Sequence, residues 1–150
     1  MNILVTVGTT PFDSLIKATD EQISNKKHAV ICQIASGRYS PKNHSYFTHS
    51  ETFQEFVAQA DLVITHGGAA TIFELLEQSK KIVVVPNLVR IDKHQLELAK
   101  YIEANNYGVV CENLNKLSEK VVECWASSYS AFERKPFFMQ NEILNYFEIS

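Results

Sequence analysis

The stretch Asp61-Leu62-Val63-Ile64-Thr65-His66-Gly67-Gly68-Ala69-Ala70-Thr71-Ile72-Phe73-Glu74 decides the fold. Leu62–Thr65 is an apolar, β-branched run without polar alternation, the mark of a strand covered on both faces. Ile72, Phe73, Leu75 and Leu76 then fall on one stripe of a helix. Two adjacent glycines at such a strand-to-helix turn let the backbone approach a ligand with no Cβ in the way. The helix that follows aims unpaired N–H groups and its positive dipole end into the same space. His66 and Thr71 add side-chain donors, and Glu74, one turn on, offers a carboxylate to sugar hydroxyls. The pattern describes a seat for a diphosphate with a ribose beside it. A plain tight turn with His66 as a satisfied loop residue fits the same two glycines, so the neighbours have to decide.

Outward from this turn, strand and helix patterns alternate along the chain. Ile3–Val7, Ala29–Ile34 and Ile82–Val85 read as further doubly covered strands, and Val109-Val110 as a short last one. Helices are expected from a cap at Asp13 or Ser14 to about Ile23, and from Glu51 to Ala60 behind a Ser50 cap. Others are expected from the glycine turn to about Gln78 and from His94 to Asn105, with Leu96, Leu98, Ala99 and Ile102 as the apolar face of the latter. Asn105, Asn106 and Gly108 stop that helix. Ser36–Ser50 is a loop around a short strand near Tyr46–Thr48. Repeated β-α units predict an α/β fold, a doubly wound parallel sheet that binds ligands at the carboxyl ends of its strands.

At 150 residues the chain is expected to form one domain, spanning 1–150, with a real core. Leu117–Trp125 reads as a helix. The segment 130–150, with Phe137, Phe138, Met139, Ile143, Leu144, Tyr146 and Phe147, reads as a helical tail that packs back onto the sheet or covers a partner. A net charge of −3 gives no electrostatic case for nucleic acid or an anionic membrane. No apolar run reaches the roughly 20 residues of a spanning helix. Cys32, Cys111 and Cys124 are odd in number and sit in apolar settings, which points to buried thiols in a reducing compartment, hence the cytoplasm.

Two more segments carry polar groups at carboxyl strand ends. Gly8-Thr9-Thr10-Pro11-Phe12-Asp13 follows the first strand and suits phosphate or sugar contact. It lacks the second and third glycines of the dinucleotide fingerprint, and Cys32-Gln33-Ile34 supplies no acidic end to the second strand, so a nicotinamide cofactor is not expected. Pro86–Gln95 follows the Ile82–Val85 strand and crowds Asp92, His94 and Gln95 at a helix start. These residues suit a grip on hexose hydroxyls; a solvated Asp cap is the plainer reading. His28, His44 and His49 show no metal spacing, and no metal or cofactor is expected.

Together the segments resemble the donor-binding half of GT-B glycosyltransferases. The signature His-x-Gly-x-x-Thr/Ser-x-x-Glu, then a strand ending in Pro and an Asp-x-His-Gln, stands here as His66–Glu74, Pro86 and Asp92-Lys93-His94-Gln95. The resemblance runs from Val5 to about Val110. It is nearest to the small catalytic subunits of two-component UDP-sugar glycosyltransferases, eukaryotic N-acetylglucosaminyltransferase subunits and bacterial capsule or exopolysaccharide galactosyltransferase subunits. The Gly67-Gly68 pair leans toward the bacterial members. The resemblance implies that His66 and Thr71 contact the diphosphate, that Gly67 and Gly68 admit it, and that Glu74 takes the ribose. It also implies that Asp92 and Gln95, with His94 between them, lie near the hexose, and that Gly8, Thr9 and Thr10 face the diphosphate and acceptor cleft. His66 would stabilise the leaving group; no general base is assigned, and it is expected from a partner. No Asp-x-Asp occurs, as suits metal-independent transfer. The implied activity is transfer of galactose or N-acetylglucosamine from a UDP-sugar to a lipid-diphosphate-linked saccharide. The implied partner is a membrane-anchored, acceptor-binding Rossmann-like subunit, which would place this chain at the membrane periphery. The alternative is a nucleotide-sugar-binding regulatory module without catalysis.

Overall fold

The computed structural model describes residues 1–89 and 94–133. Six parallel strands form one sheet: β1 (Asn2–Thr6), β2 (Ala29–Gln33), β3 (Ser45–Phe47), β4 (Leu62–His66), β5 (Lys81–Val85) and β6 (Val109–Val110). Their order is β3-β2-β1-β4-β5-β6. The chain therefore winds outward from β1 to β3, crosses back to β4 beside β1, and winds out the other way. Thr6 pairs with Gln33 on one side and Thr65 on the other. The turns after β1 and β4 thus open side by side, at the switch point where such sheets bind ligands.

Strand alternation builds two apolar layers. On one face Ile3, Val5, Ile64 and Val83 meet Leu15 and Ile16 of α1 (Asp13–Gln22) and Leu117 and Val121 of α5 (Leu117–Ala126). On the other, Leu4, Val63, Ile82 and Val84 meet Val57 of α2 (Phe53–Gln59), Ile72 and Leu75 of α3 (Ala69–Glu77), and Leu98 and Ile102 of α4 (His94–Ala104). Strands apolar on both faces follow from this double cover. All three cysteines are buried on these layers. Burial pushes the Cys32 thiol up to about 12 and the Cys124 thiol up to about 11.

Three local expectations give way to tertiary contacts. Neither Asp13 nor Ser14 caps α1. Phe12 holds the cap position with no side-chain bond, and the Asp13 carboxylate instead accepts from the Arg38 amide at 3.2 Å. Ser50 does not cap α2 either: its Oγ accepts from the Thr52 amide at 3.1 Å, closing a turn, and the helix begins at Phe53. On α4 the buried residues are Gln95, Leu98, Ala99 and Ile102, while Leu96 is half-buried. The i, i+3, i+4, i+7 stripe through Leu98 and Ile102 passes through residue 95, so a glutamine takes the inward position.

Beyond α5, the Lys81 Nζ donates to the carbonyls of Trp125 (2.7 Å) and Ser127 (2.9 Å). Tyr129 packs on the α1/α5 layer and Phe132 on the α3/α4 layer, with the Phe132 ring 5.4 Å from those of Phe73 and Tyr107. This segment passes around the amino edge of the sheet, opposite the switch point. The apolar tail expected at Phe137–Phe147 lies outside the described residues.

Helix α3 ends in a tight left-handed cap. Ser79 sits at φ 57°, with Ser79 N–H bonded to Leu76 O at 3.0 Å and Lys80 N–H to Leu75 O at 3.1 Å. A side chain in this region costs about 1 kcal/mol that glycine does not. Ser79→Gly is expected to raise stability by about 1 kcal/mol, read as a higher urea midpoint at unchanged slope.

Candidate nucleotide-sugar site

His66 ends β4 and its half-buried ring fills the gap between the two turns. A Cβ placed on Gly8 would lie 2.7 Å from His66 Cε1 and 3.0 Å from Nε2. One placed on Gly68 would collide with His66 Nε2 and come within 2.8 Å of Cε1. Gly8 also stands at φ 68°, in the left-handed region. Hence Gly8 and Gly68 make room first for the imidazole that lies between them. Gly67 does the same for Gln95, whose Cβ and Cγ would be 2.7 and 2.9 Å from an added Cβ.

The amino end of α3 opens beside that ring. Gly68 occupies the cap position in an extended conformation, its carbonyl accepts from Ile72 N–H at 3.1 Å, and no side chain caps the helix. The first-turn amides of Ala69, Ala70 and Thr71 therefore meet no capping oxygen and carry the positive end of the helix dipole. Such an end binds phosphate. One turn on, the exposed Glu74 carboxylate accepts from Gln54 Nε2 of α2 at 2.8 Å, and Gln54 accepts in turn from Gln78 at 3.2 Å. Glu74 is thus aimed by a neighbouring helix.

The other expected residues are distributed unevenly. The Gly8 amide is spent on Gln33 Oε1 at 3.1 Å, whereas Thr9 is exposed and Thr10 half-buried in the same turn. Gln95 is 8% exposed, and its Oε1 accepts from the Asn87 amide at 2.9 Å, tying the turn after β5 to Gly67. His94 stands on the α4 surface with Nδ1 3.8 Å from Glu97. Asp92, the proposed hexose contact, lies outside the described residues.

Sequence reasoning missed Gln33. Its side chain is 6% exposed and holds the Gly8 turn from below. Gly8, Thr9, Gln33, Ala35, Ser36, Thr48 and His49 line a cleft of about 630 Å³ at the carboxyl ends of β1, β2 and β3. A second cavity of about 410 Å³ opens at the amino ends, by Asn2, Ala29 and Ser45, and contains none of the motif residues. Of the motif residues, Gly8 and Thr9 line the first.

Comparison with known proteins agrees with this geometry. The model of the glycosyltransferase family 28 C-terminal domain matches residues 2–143. The UDP-N-acetylglucosamine transferase subunit ALG13 of Homo sapiens is 35% identical over 122 residues, which is 73% of this chain and 11% of that protein. The chain thus spans a small part of the human relative's length. Among solved structures, a glycotransferase of kitacinnamycin superposes with a TM-score of 0.67 at 20% identity, covering 98% of this chain and 38% of that one. The NMR structure of ALG13 superposes with a TM-score of 0.58 at 16% identity, covering 99% and 95%. These two show the fold.

Because the His66 ring fills the gap between the turns, Gly68→Ala must displace it. The variant is expected to fold, to shift the His66 ring resonances, and to bind UDP at least about tenfold more weakly, as measured by NMR and calorimetry.

Proposed function

The chain belongs to the glycosyltransferase family 28 C-terminal domains, and from that premise we propose that it binds the UDP-sugar donor of a two-part glycosyltransferase. One arrangement carries the reading: an uncapped helix amino end, an imidazole held beside it between two glycines, and a carboxylate one turn along. The α3 amides, His66 and Thr71 take the diphosphate, and Glu74 takes the ribose hydroxyls. Gln95 is assigned to the hexose, and so is Asp92 from its place in the sequence motif alone.

The chemistry assigned to these groups is stabilisation of the leaving group. As the bond from the sugar's anomeric carbon to the diphosphate breaks, charge collects on the departing UDP. Fixed amide dipoles and a ring donor at the helix end meet that charge without reorganising, and removing one such donor typically costs 10²–10³-fold in rate. The acceptor hydroxyl attacks the same carbon and loses its proton to a base that we place on the partner. Support for a second polypeptide comes from a relative: ALG13 is described as a transferase subunit. No helix among the described residues is long and apolar enough to cross a membrane, so we assign membrane contact and the lipid-linked acceptor to the partner.

N-acetylglucosamine is the favoured donor sugar because similar proteins are described as N-acetylglucosamine transferases; galactose, in capsule or exopolysaccharide synthesis, is the other candidate. The deciding experiment offers a UDP-sugar panel and a lipid-diphosphate saccharide to the chain with and without its partner. Transfer is expected only with both. Binding without transfer under every combination leaves a regulatory nucleotide-sugar module, and full turnover by the chain alone removes the partner. Separately, Glu74→Ala is expected to weaken UDP by about 10- to 100-fold, the worth of hydrogen bonds to a charged group, with the melting temperature nearly unchanged. Equal affinities by calorimetry would remove the ribose assignment.

A further inference from the structure

Gln33 closes β2 between β1 and β3, with Thr6 opposite on one side and Phe47 on the other. Its carboxamide is fully used. Oε1 accepts from Thr6 Oγ1 at 2.7 Å, Val7 N–H at 3.0 Å and Gly8 N–H at 3.1 Å. Nε2 donates to Gly8 O at 2.8 Å and Thr48 O at 3.1 Å. A primary amide has two N–H donors and two acceptor lone pairs, so nothing remains for a ligand, and a flipped amide would face donors with donors. The bonds do not serve β2 itself. They reach the turn after β1 and the turn after β3, and those turns form the two walls of the 630 Å³ cleft. Ala35, on the same cleft, is held in the left-handed region at φ 52°, with its amide on Thr48 O at 3.1 Å. Non-glycine residues persist there only where the surroundings over-determine them.

We propose that Gln33 is a positioning residue: it locks the Gly8 turn and the Thr48 turn into one rigid unit, so that the donor site is formed before ligand arrives. The proposal rests on the UDP-sugar reading above. Gln33 acts through Gly8, whose backbone bounds the His66 ring, and so sets the imidazole's place without touching the ligand. A turn held from both its N–H and its C=O spares the ligand the entropy of ordering it.

Two full-length variants test this. Gln33→Met keeps volume and removes every bond. It is expected to stay folded, to lose about tenfold of hydrogen-exchange protection at Val7 and Gly8, to shift the His66 Cε1–H resonance, and to bind UDP about tenfold more weakly. Gln33→Glu keeps the acceptor oxygens but, when ionised, has no proton for Gly8 O or Thr48 O. Its UDP affinity is expected to be low at pH 8 and to recover toward pH 5 as the protonated carboxyl regains one donor. His49 lines the cleft and His66 lies against Gly8 in wild type and variant alike, so the difference between the two profiles isolates position 33. Should Gln33→Met fail to fold, the pH-dependent recovery of Gln33→Glu carries the test. Wild-type protection at Val7 and Gly8 in a folded Gln33→Met, or a Gln33→Glu profile that parallels the wild type, overturns the proposal. A wild-type chain that does not bind UDP overturns the function instead; amide protection and the His66 resonance then decide the role of Gln33.

Discussion

The pairing of β1 with β4 is the constraint on which the rest depends. Because the chain leaves β1, builds β2 and β3, and returns to lie on the other side of β1, two glycine turns far apart in sequence open next to each other. The His66 ring then fits only where neither Gly8 nor Gly68 carries a Cβ. Each glycine is required by a residue contributed from elsewhere. Helix α3 starts where it does because β4 ends where it does, and its bare amides face the same crevice.

The sheet was readable because its strands are apolar on both faces and their spacing leaves little choice of class. The candidate site is expected from sequence where its polar groups share one strand-to-helix stretch, as His66, Thr71 and Glu74 do. Residues whose partners are distant in sequence are not. In sequence Gln33 is only a non-acidic end to the second strand, and the register of three strands brings it to Thr6, Gly8 and Thr48. Asp13 looked like a cap until the loop after β2 offered it the Arg38 amide. Gln95 is expected beside the hexose from its motif; its inward position on the α4 stripe and the bond its Oε1 accepts from the Asn87 amide are added by the fold. Asp20 is a further case. It is nearly buried within α1, yet it accepts from the Lys42 and Asn43 amides and the Tyr39 hydroxyl and so fixes the loop into β3. Local propensity cannot show a bond whose second half lies outside the element.

The division of labour is visible in the burial pattern. Groups that shape the crevice, Gln33 and Gln95, are buried, Gln33 with its whole carboxamide engaged, whereas Thr9, Ala70 and Glu74 are exposed. A preorganised wall needs both kinds: dry amides to hold backbone in place, and wet groups to exchange water for ligand.

The buried cysteines have a practical consequence. Thiolates react and thiols hardly do, and all three sulfurs lie inside the two layers, their ionisation made harder by burial. The folded chain is therefore expected to resist alkylating reagents near neutral pH. Cys32, Cys111 and Cys124 all lie in the layer covered by α1 and α5. Their labelling rate is thus an internal clock for the lifting of that layer, and a cysteine introduced at the crevice would stand alone as a reporter there.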